Sequence, residues 1–353
     1  MTDPQARFGG ARREFVERLF PRGIPKLWCP LITHFREEGG LDRPRLKAAL
    51  NFIRPWVNGF LVPGSTGEGW SMPDDEVREL LAPLIELVHA RGGHLLVGIL
   101  KSDVADVLQA MQEFVSWLKD RVGVSDALES MRRSSVCGFA VCPPSGPELA
   151  QTRLGAALEE VLSLELPVAL YQLPQVTKNE MAPDTVAALA ERYPNFFLFK
   201  DSSGTDAVAR SGFREVFLVR GAEGGYARHL VGAGGHYDGL LLSTANCFPR
   251  ALSQMVAAVE RGRLEEAEVF SKKLSALCDE LFPLAAEVGY GNPFTNANKA
   301  MDHFFAHGPR AAALAAPRLH SGMRLPRELL VSAEAALRRQ GLLPDEGYLD
   351  PGA

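Results

Sequence analysis

Three short stretches hold side chains able to do chemistry together. In FLFKDSSG (197–204), Lys200 follows three apolar residues, at the point where a buried strand should end. Burial disfavours an ammonium and lowers its pKa, and a neutral amine attacks a ketone or aldehyde to give a Schiff base. A rim lysine paired with an acid has the same local sequence, so Lys200 alone leaves the two readings even. GSTGEG (64–69) is a Gly-rich turn with the hydroxyls of Ser65 and Thr66 and several backbone N–H groups. It suits a carboxylate or phosphate, though a turn that merely reverses the chain looks alike. Tyr171, in ALYQLP, is a candidate proton relay, and taken singly is as well explained as a buried structural tyrosine. The three together are far more specific than any one.

Eight apolar runs must position these residues: 26–33, 59–64, 94–100, 137–143, 167–174, 196–201, 217–221 and 237–244. None alternates between apolar and polar, as expected of strands covered on both faces of a parallel sheet. Segments of helical spacing lie between them, including PDDEVRELLAPLIELVHA, which opens with a proline and two acids. Eight strands alternating with helices predict a closed (β/α)8 TIM barrel, whose chemistry sits at the C-terminal strand ends. Ser65 follows the second run, and Tyr171 and Lys200 lie towards the ends of the fifth and sixth, so all would face one mouth. After Thr244 the pattern is helical only. The expected organisation is a lead-in over 1–25, a barrel over 26–250, a C-terminal helical extension over 251–343 and a loose tail over 344–353. Residues 121–135 read as a long connection at the face opposite the chemistry, either a subunit contact or a surface loop.

The chain has 353 residues, 46% hydrophobic and 23% charged, with formal net charge −5. This is the balance of a soluble globular protein. No basic run points to nucleic acid or an anionic membrane, and no apolar run approaches the roughly 18 residues of a membrane helix. The charged N-terminus lacks the apolar segment of a signal peptide. The five cysteines read as buried reduced thiols of a cytoplasmic protein. Cys137 and Cys142 lie within a strand-like run without a second cluster, so core packing is favoured over a metal site. No metal and no cofactor are expected.

The order GSTGE, YQLP, KDSSG and GLLLSTAN, with NPFTNANKAM later, resembles the dihydrodipicolinate synthase / N-acetylneuraminate lyase family over roughly residues 26–343. The resemblance implies a TIM barrel with C-terminal helices, a class I mechanism and a homotetramer built as a dimer of dimers. It implies that Lys200 is the Schiff-base lysine and Tyr171 the general acid/base. Ser65 and Thr66 would bind the 2-oxo acid carboxylate, with Thr66 also reaching the tyrosine hydroxyl. Gly221 and Leu241 would line the pocket, and Glu68 would hold the loop.

The chain departs from true synthases in two places. Val176 stands where an arginine would grip a second carboxylate, and Lys178 is a poor geometric substitute. PPSGP (143–147) lacks the tyrosine of the synthase proton relay. Glu223 and Ser243 instead match positions that bind sugar hydroxyls in sialic acid lyases. His34 replaces a proline and is expected at the rim, either facing the mouth or without a role. The reading is an aldolase that cleaves or forms a 2-oxo acid, such as a 2-keto-3-deoxy sugar acid, with pyruvate as one half. A dehydratase using the same imine is the runner-up. A catalytically silent 2-oxo acid sensor and a pyridoxal phosphate enzyme are the readings of other classes.

Overall fold

The computed structural model describes residues 7–349. Its centre is a closed barrel of parallel strands in chain order: β1 (Leu27–Pro30), β2 (Gly59–Val62), β3 (His94–Ile99), β4 (Val136–Val141), β5 (Val168–Gln172), β6 (Phe196–Asp201), β7 (Phe217–Arg220) and β8 (Gly239–Leu241). Around it run α2 (Arg43–Ile53), α3 (Asp74–His89), α4 (Val104–Val122), α5 (Ala127–Arg133), α6 (Gln151–Leu162), the short α7 (Pro174–Thr177), α8 (Pro183–Arg192) and the short α9 (Ala207–Arg210). The TIM barrel expected from the pattern of apolar runs is the fold observed.

The strands read as continuous apolar runs because both faces are covered, yet successive side chains still point to opposite faces. Trp28, Leu61, Leu96, Ala140, Ala169, Leu198, Val219 and Leu241 fill the barrel interior. Cys29, Phe60, Val97, Phe139, Leu170, Phe199 and Leu218 pack outward under the helices. Two residues beyond inward Ala169 and Leu198 come Tyr171 and Lys200. The register pairs Tyr171 directly with Lys200. The strand period therefore delivers both side chains to the mouth.

The lead-in is structured from α1 (Gly10–Leu19) onward. Phe8, Val16, Phe20 and Ile24 close the floor of the barrel against Trp28 and Phe197, and the Phe20 and Phe197 rings lie 5.4 Å apart. The Arg12 guanidinium donates to the carbonyls of Phe196 at 3.0 Å and Tyr193 at 3.1 Å. Residues 121–135 correct the expectation of an irregular connection. α4 runs to Val122, and Asp126 caps α5 by accepting from the Glu129 N–H at 2.7 Å. Ser130 and Met131 of α5 are buried. An acid capping a helix start three residues before a Glu was the overlooked signal.

After β8 the chain is helical, as expected: α10 (Pro249–Glu260), α11 (Leu264–Ala286), α12 (Pro293–His307) and α13 (Arg327–Arg339). The described part of the tail is docked, which corrects the loose tail. Tyr348 donates its backbone N–H to the Phe305 carbonyl at 2.9 Å and its hydroxyl to Asp302 at 2.9 Å. Its ring stacks on Phe52 at 5.2 Å. Residues 350–353 of the expected tail lie outside the described residues.

Candidate active site

Lys200 is 4% exposed. Its Nζ donates to Ser202 Oγ at 3.2 Å and lies 3.3 Å from the centre of the Tyr171 ring. Burial pulls the amine down from 10.5 to about 7, against the opposing pull of Cys142, Glu223 and Asp201. A substantial neutral fraction therefore exists near neutral pH. Tyr171 is also buried, and burial first, then Cys142, pushes its phenol up, so it is protonated. The amine thus sits against both the Ser202 hydroxyl and the face of the Tyr171 ring.

Gly221, directly after β7, faces this group. A Cβ there would lie 2.2 Å from Ser202 Oγ, 3.2 Å from Lys200 Cε and 3.3 Å from Lys200 Nζ. Only glycine leaves room beside the amine. Behind the strand, Asp201 accepts from the Ser203 hydroxyl at 2.6 Å and from the Tyr237 hydroxyl at 3.0 Å. The Tyr237 oxygen also lies 2.7 Å from Asp206, so its one proton is shared between the two carboxylates, and Asp206 pairs with Arg220 at 3.1 Å. This buried network braces the ends of β6 and β7, and it was not foreseen.

Ser65 and Thr66 are each 5% exposed, in the turn after β2. The turn closes through Gly67 N–H to the Gly64 carbonyl at 3.0 Å and Glu68 N–H to the Ser65 carbonyl at 3.1 Å. Gly67 backs onto β1, where a Cβ would meet the Leu31 carbonyl at 2.5 Å. Glu68 takes a left-handed φ of 64° and accepts from Lys299 of α12 and from the His320 N–H at 2.7 Å. That pair ties the loop to the C-terminal helices. Asn292 and Thr295, at the start of α12, add further bonds to Ser65 and Thr66. Among the described residues no hydrogen bond joins the Tyr171 hydroxyl to Thr66, whose carbonyl accepts from Thr295.

Glu223 and Ser243 are brought together. Glu223 accepts from Ser243 Oγ at 2.6 Å, Thr244 N–H at 3.1 Å, Thr244 Oγ1 at 2.9 Å and Tyr226 OH at 2.9 Å. Both of its oxygens are filled by protein donors, so Ser243 Oγ keeps lone pairs to accept from a ligand hydroxyl. Leu241 points into the packed barrel interior, 1% exposed, beside Val219. Opposite, Leu100, Cys142, Tyr171 and Leu173 form an apolar cluster, with Trp70 and Val176 packed on it.

One expectation is corrected. His34 does not face the mouth. It is buried, its Nδ1 4.0 Å from Asp302, which also pairs with Arg45 at 2.9 Å. Burial lowers the imidazole to about 3, so it is neutral in this network between α2, α12 and the tail. Cys137 and Cys142 do not converge. Cys137 donates to the Leu95 carbonyl at 3.2 Å in the interior, whereas Cys142 lies by Tyr171. Among the described residues no group of three or more His, Cys, Asp or Glu could hold a metal ion. No described helix is long and apolar enough to cross a membrane.

The pattern of the Dihydrodipicolinate synthetase family matches residues 129–289. The chain resembles that family. It is 28% identical over 260 residues to the 4-hydroxy-tetrahydrodipicolinate synthase of Pseudoalteromonas atlantica, covering 72% of this chain and 82% of the relative. It is 26% identical over 281 residues to that of Lactococcus lactis subsp. cremoris, covering 78% and 86%. Among solved structures, YagE, an E. coli K12 prophage protein of the dihydrodipicolinic acid synthase family in complex with pyruvate, superposes with TM-score 0.69 at 20% identity, covering 90% of this chain and 99% of that one. A Sulfolobus solfataricus 2-keto-3-deoxygluconate aldolase variant in complex with L-2-keto,3-deoxy-galactonate gives 0.66 at 18%, covering 90% and 96%. At these identities the structural likeness is one of fold.

Proposed function

We propose that this protein is a Schiff-base-forming lyase that cleaves a 2-oxo acid, such as a 2-keto-3-deoxy sugar acid, to pyruvate and an aldehyde, or condenses the two. The observation that carries the reading is the buried amine of Lys200, lowered to about 7 and held between Ser202 and Tyr171 at the barrel mouth. The neutral amine adds to C2, and loss of water gives a protonated imine. The C4 hydroxyl gives up its proton, the C3–C4 bond breaks and its electron pair flows into the imine. The aldehyde departs and an enamine remains. Protonation at C3 and hydrolysis release pyruvate and Lys200. Tyr171, protonated and set against the Lys200 amine, moves the protons. Ser65 and Thr66 hold the 2-oxo acid carboxylate.

The far half of the substrate is read as uncharged. Val176 packs on the apolar cluster beside Tyr171 where a synthase has its arginine, and Glu223 puts negative charge across the mouth. Ser243 Oγ supports a hydroxylated chain at that position. A homotetramer in the cytoplasm completes the proposal, and sedimentation velocity tests the tetramer.

The test is borohydride trapping with pyruvate, followed by intact mass and peptide mapping. A single reduced adduct on Lys200, absent from Lys200→Ala, is expected. Tyr171→Phe should slow turnover roughly a hundredfold or more. No adduct on the wild-type protein overturns the reading. Consumption of a 2-keto-3-deoxy acid without an aldehyde product would turn the assignment to the dehydratase.

A further inference from the structure

We propose that Asn292, the first residue of NPFTNANKAM and far in sequence from GSTGEG, is a positioning residue that aims the Ser65 hydroxyl at the substrate carboxylate. The inference rests on the reading of Ser65 as a carboxylate donor. Asn292 caps α12: its Oδ1 accepts from the Thr295 N–H at 3.0 Å. Its Nδ2 donates to the Ser65 carbonyl at 2.8 Å and to Ser65 Oγ at 3.1 Å. Both sides fix the orientation of the amide. A flipped amide would set its oxygen against the Ser65 carbonyl and its NH2 against the Thr295 N–H.

The consequence falls on Ser65. A hydroxyl has one proton and two lone pairs. Because Ser65 Oγ takes an N–H from Asn292 through a lone pair, its own proton points away from Asn292 and is free for a ligand. Without Asn292, that proton could turn inward and the hydroxyl would meet an anion with a lone pair. Thr295 steadies the same loop, its Oγ1 donating to the Thr66 carbonyl at 3.0 Å and reaching the Ser65 carbonyl at 3.3 Å. α12 has no acid in its first turn, so its N-terminal partial charge adds to the attraction for a carboxylate.

Two variants separate positioning from folding. Asn292→Asp keeps an excellent cap acceptor but replaces the donor with a carboxylate that draws the Ser65 proton to itself. Asn292→Ser keeps a cap and removes the arm without adding charge. The readout is the pyruvate concentration giving half-maximal borohydride trapping, measured beside the trapping extent at saturation and the melting temperature. Asn292→Asp should raise the half-saturating concentration about tenfold or more, and Asn292→Ser by about threefold to tenfold. Trapping at saturation should be preserved. Asn292→Ser in a Ser65→Ala background should add little, since the two act through one hydroxyl. Wild-type trapping with half-saturation unmoved by both Asn292 variants overturns this inference alone. Fully additive effects of Ser65→Ala and Asn292→Ser overturn it as well. Absence of trapping in the wild type overturns the parent reading instead.

Discussion

Lys200 should cost the folded protein stability, and by an amount that depends on pH. Its amine is buried and titrates at about 7, against 10.5 in water. Above 10.5 the lysine is neutral in both folded and unfolded chains, and no penalty arises. As pH falls from 10.5 towards 7, the unfolded chain takes up a proton that the folded site refuses, and stability drops. Below about 7 both states are charged and the penalty is complete, on the order of 5 kcal/mol. At about pH 9.5 only about 1 kcal/mol remains. Lys200→Met keeps the length of the side chain and removes the charge. In urea unfolding at one protein concentration it should be more stable than wild type by several kcal/mol at about pH 6, and by far less at about pH 9.5. The rate of trapping by pyruvate, which needs the neutral amine, should rise through about pH 7 and then level off. An equal stability difference at both pH values would refute the claim that burial, rather than an ion pair, sets the state of this lysine.

Gly221→Ala should leave the protein folded, with a melting temperature near wild type, because the new methyl can push aside Ser202 and the end of Lys200. The same displacement breaks the amine's bond to Ser202 and shifts the reacting nitrogen, so trapping and turnover should fall together by at least tenfold; unchanged trapping would show that the crowding is relieved elsewhere. Lys299→Met strips the buried Glu68 of its cation and should destabilise the protein by about 3–5 kcal/mol in urea unfolding. Glu68→Gln combined with Lys299→Met should recover part of that loss, and failure to recover any would mean the pair is not the tie that holds the loop.

The barrel was legible in the sequence because each strand is buried on both faces and so reads as an unbroken apolar run bounded by turns. Lys200, Tyr171 and the Ser65–Thr66 turn were legible for the same reason: a polar or ionisable group at the end of such a run stands out. α5 and the docked tail were missed because each rests on a few anchors, Met131 in one and Tyr348 in the other, rather than on a periodic pattern. His34 was placed at the rim because a residue after a strand end faces either the mouth or the helices, and only Asp302 and Arg45 of the packed structure settle which.

What the sequence by itself determined is therefore a set of candidate side chains and the fold that delivers them to one end of a barrel. Strand period and strand order are local properties of the chain, and they suffice for that. Tertiary structure alone decided how those side chains are held: the Tyr171 ring against the Lys200 amine, the space beside Gly221, Glu223 filled by Ser243 and Thr244, and Asn292 reaching Ser65 from a helix 227 residues away. Each is a hydrogen bond or a close contact between elements distant in sequence. Such contacts depend on register and packing, which no stretch of the chain carries alone.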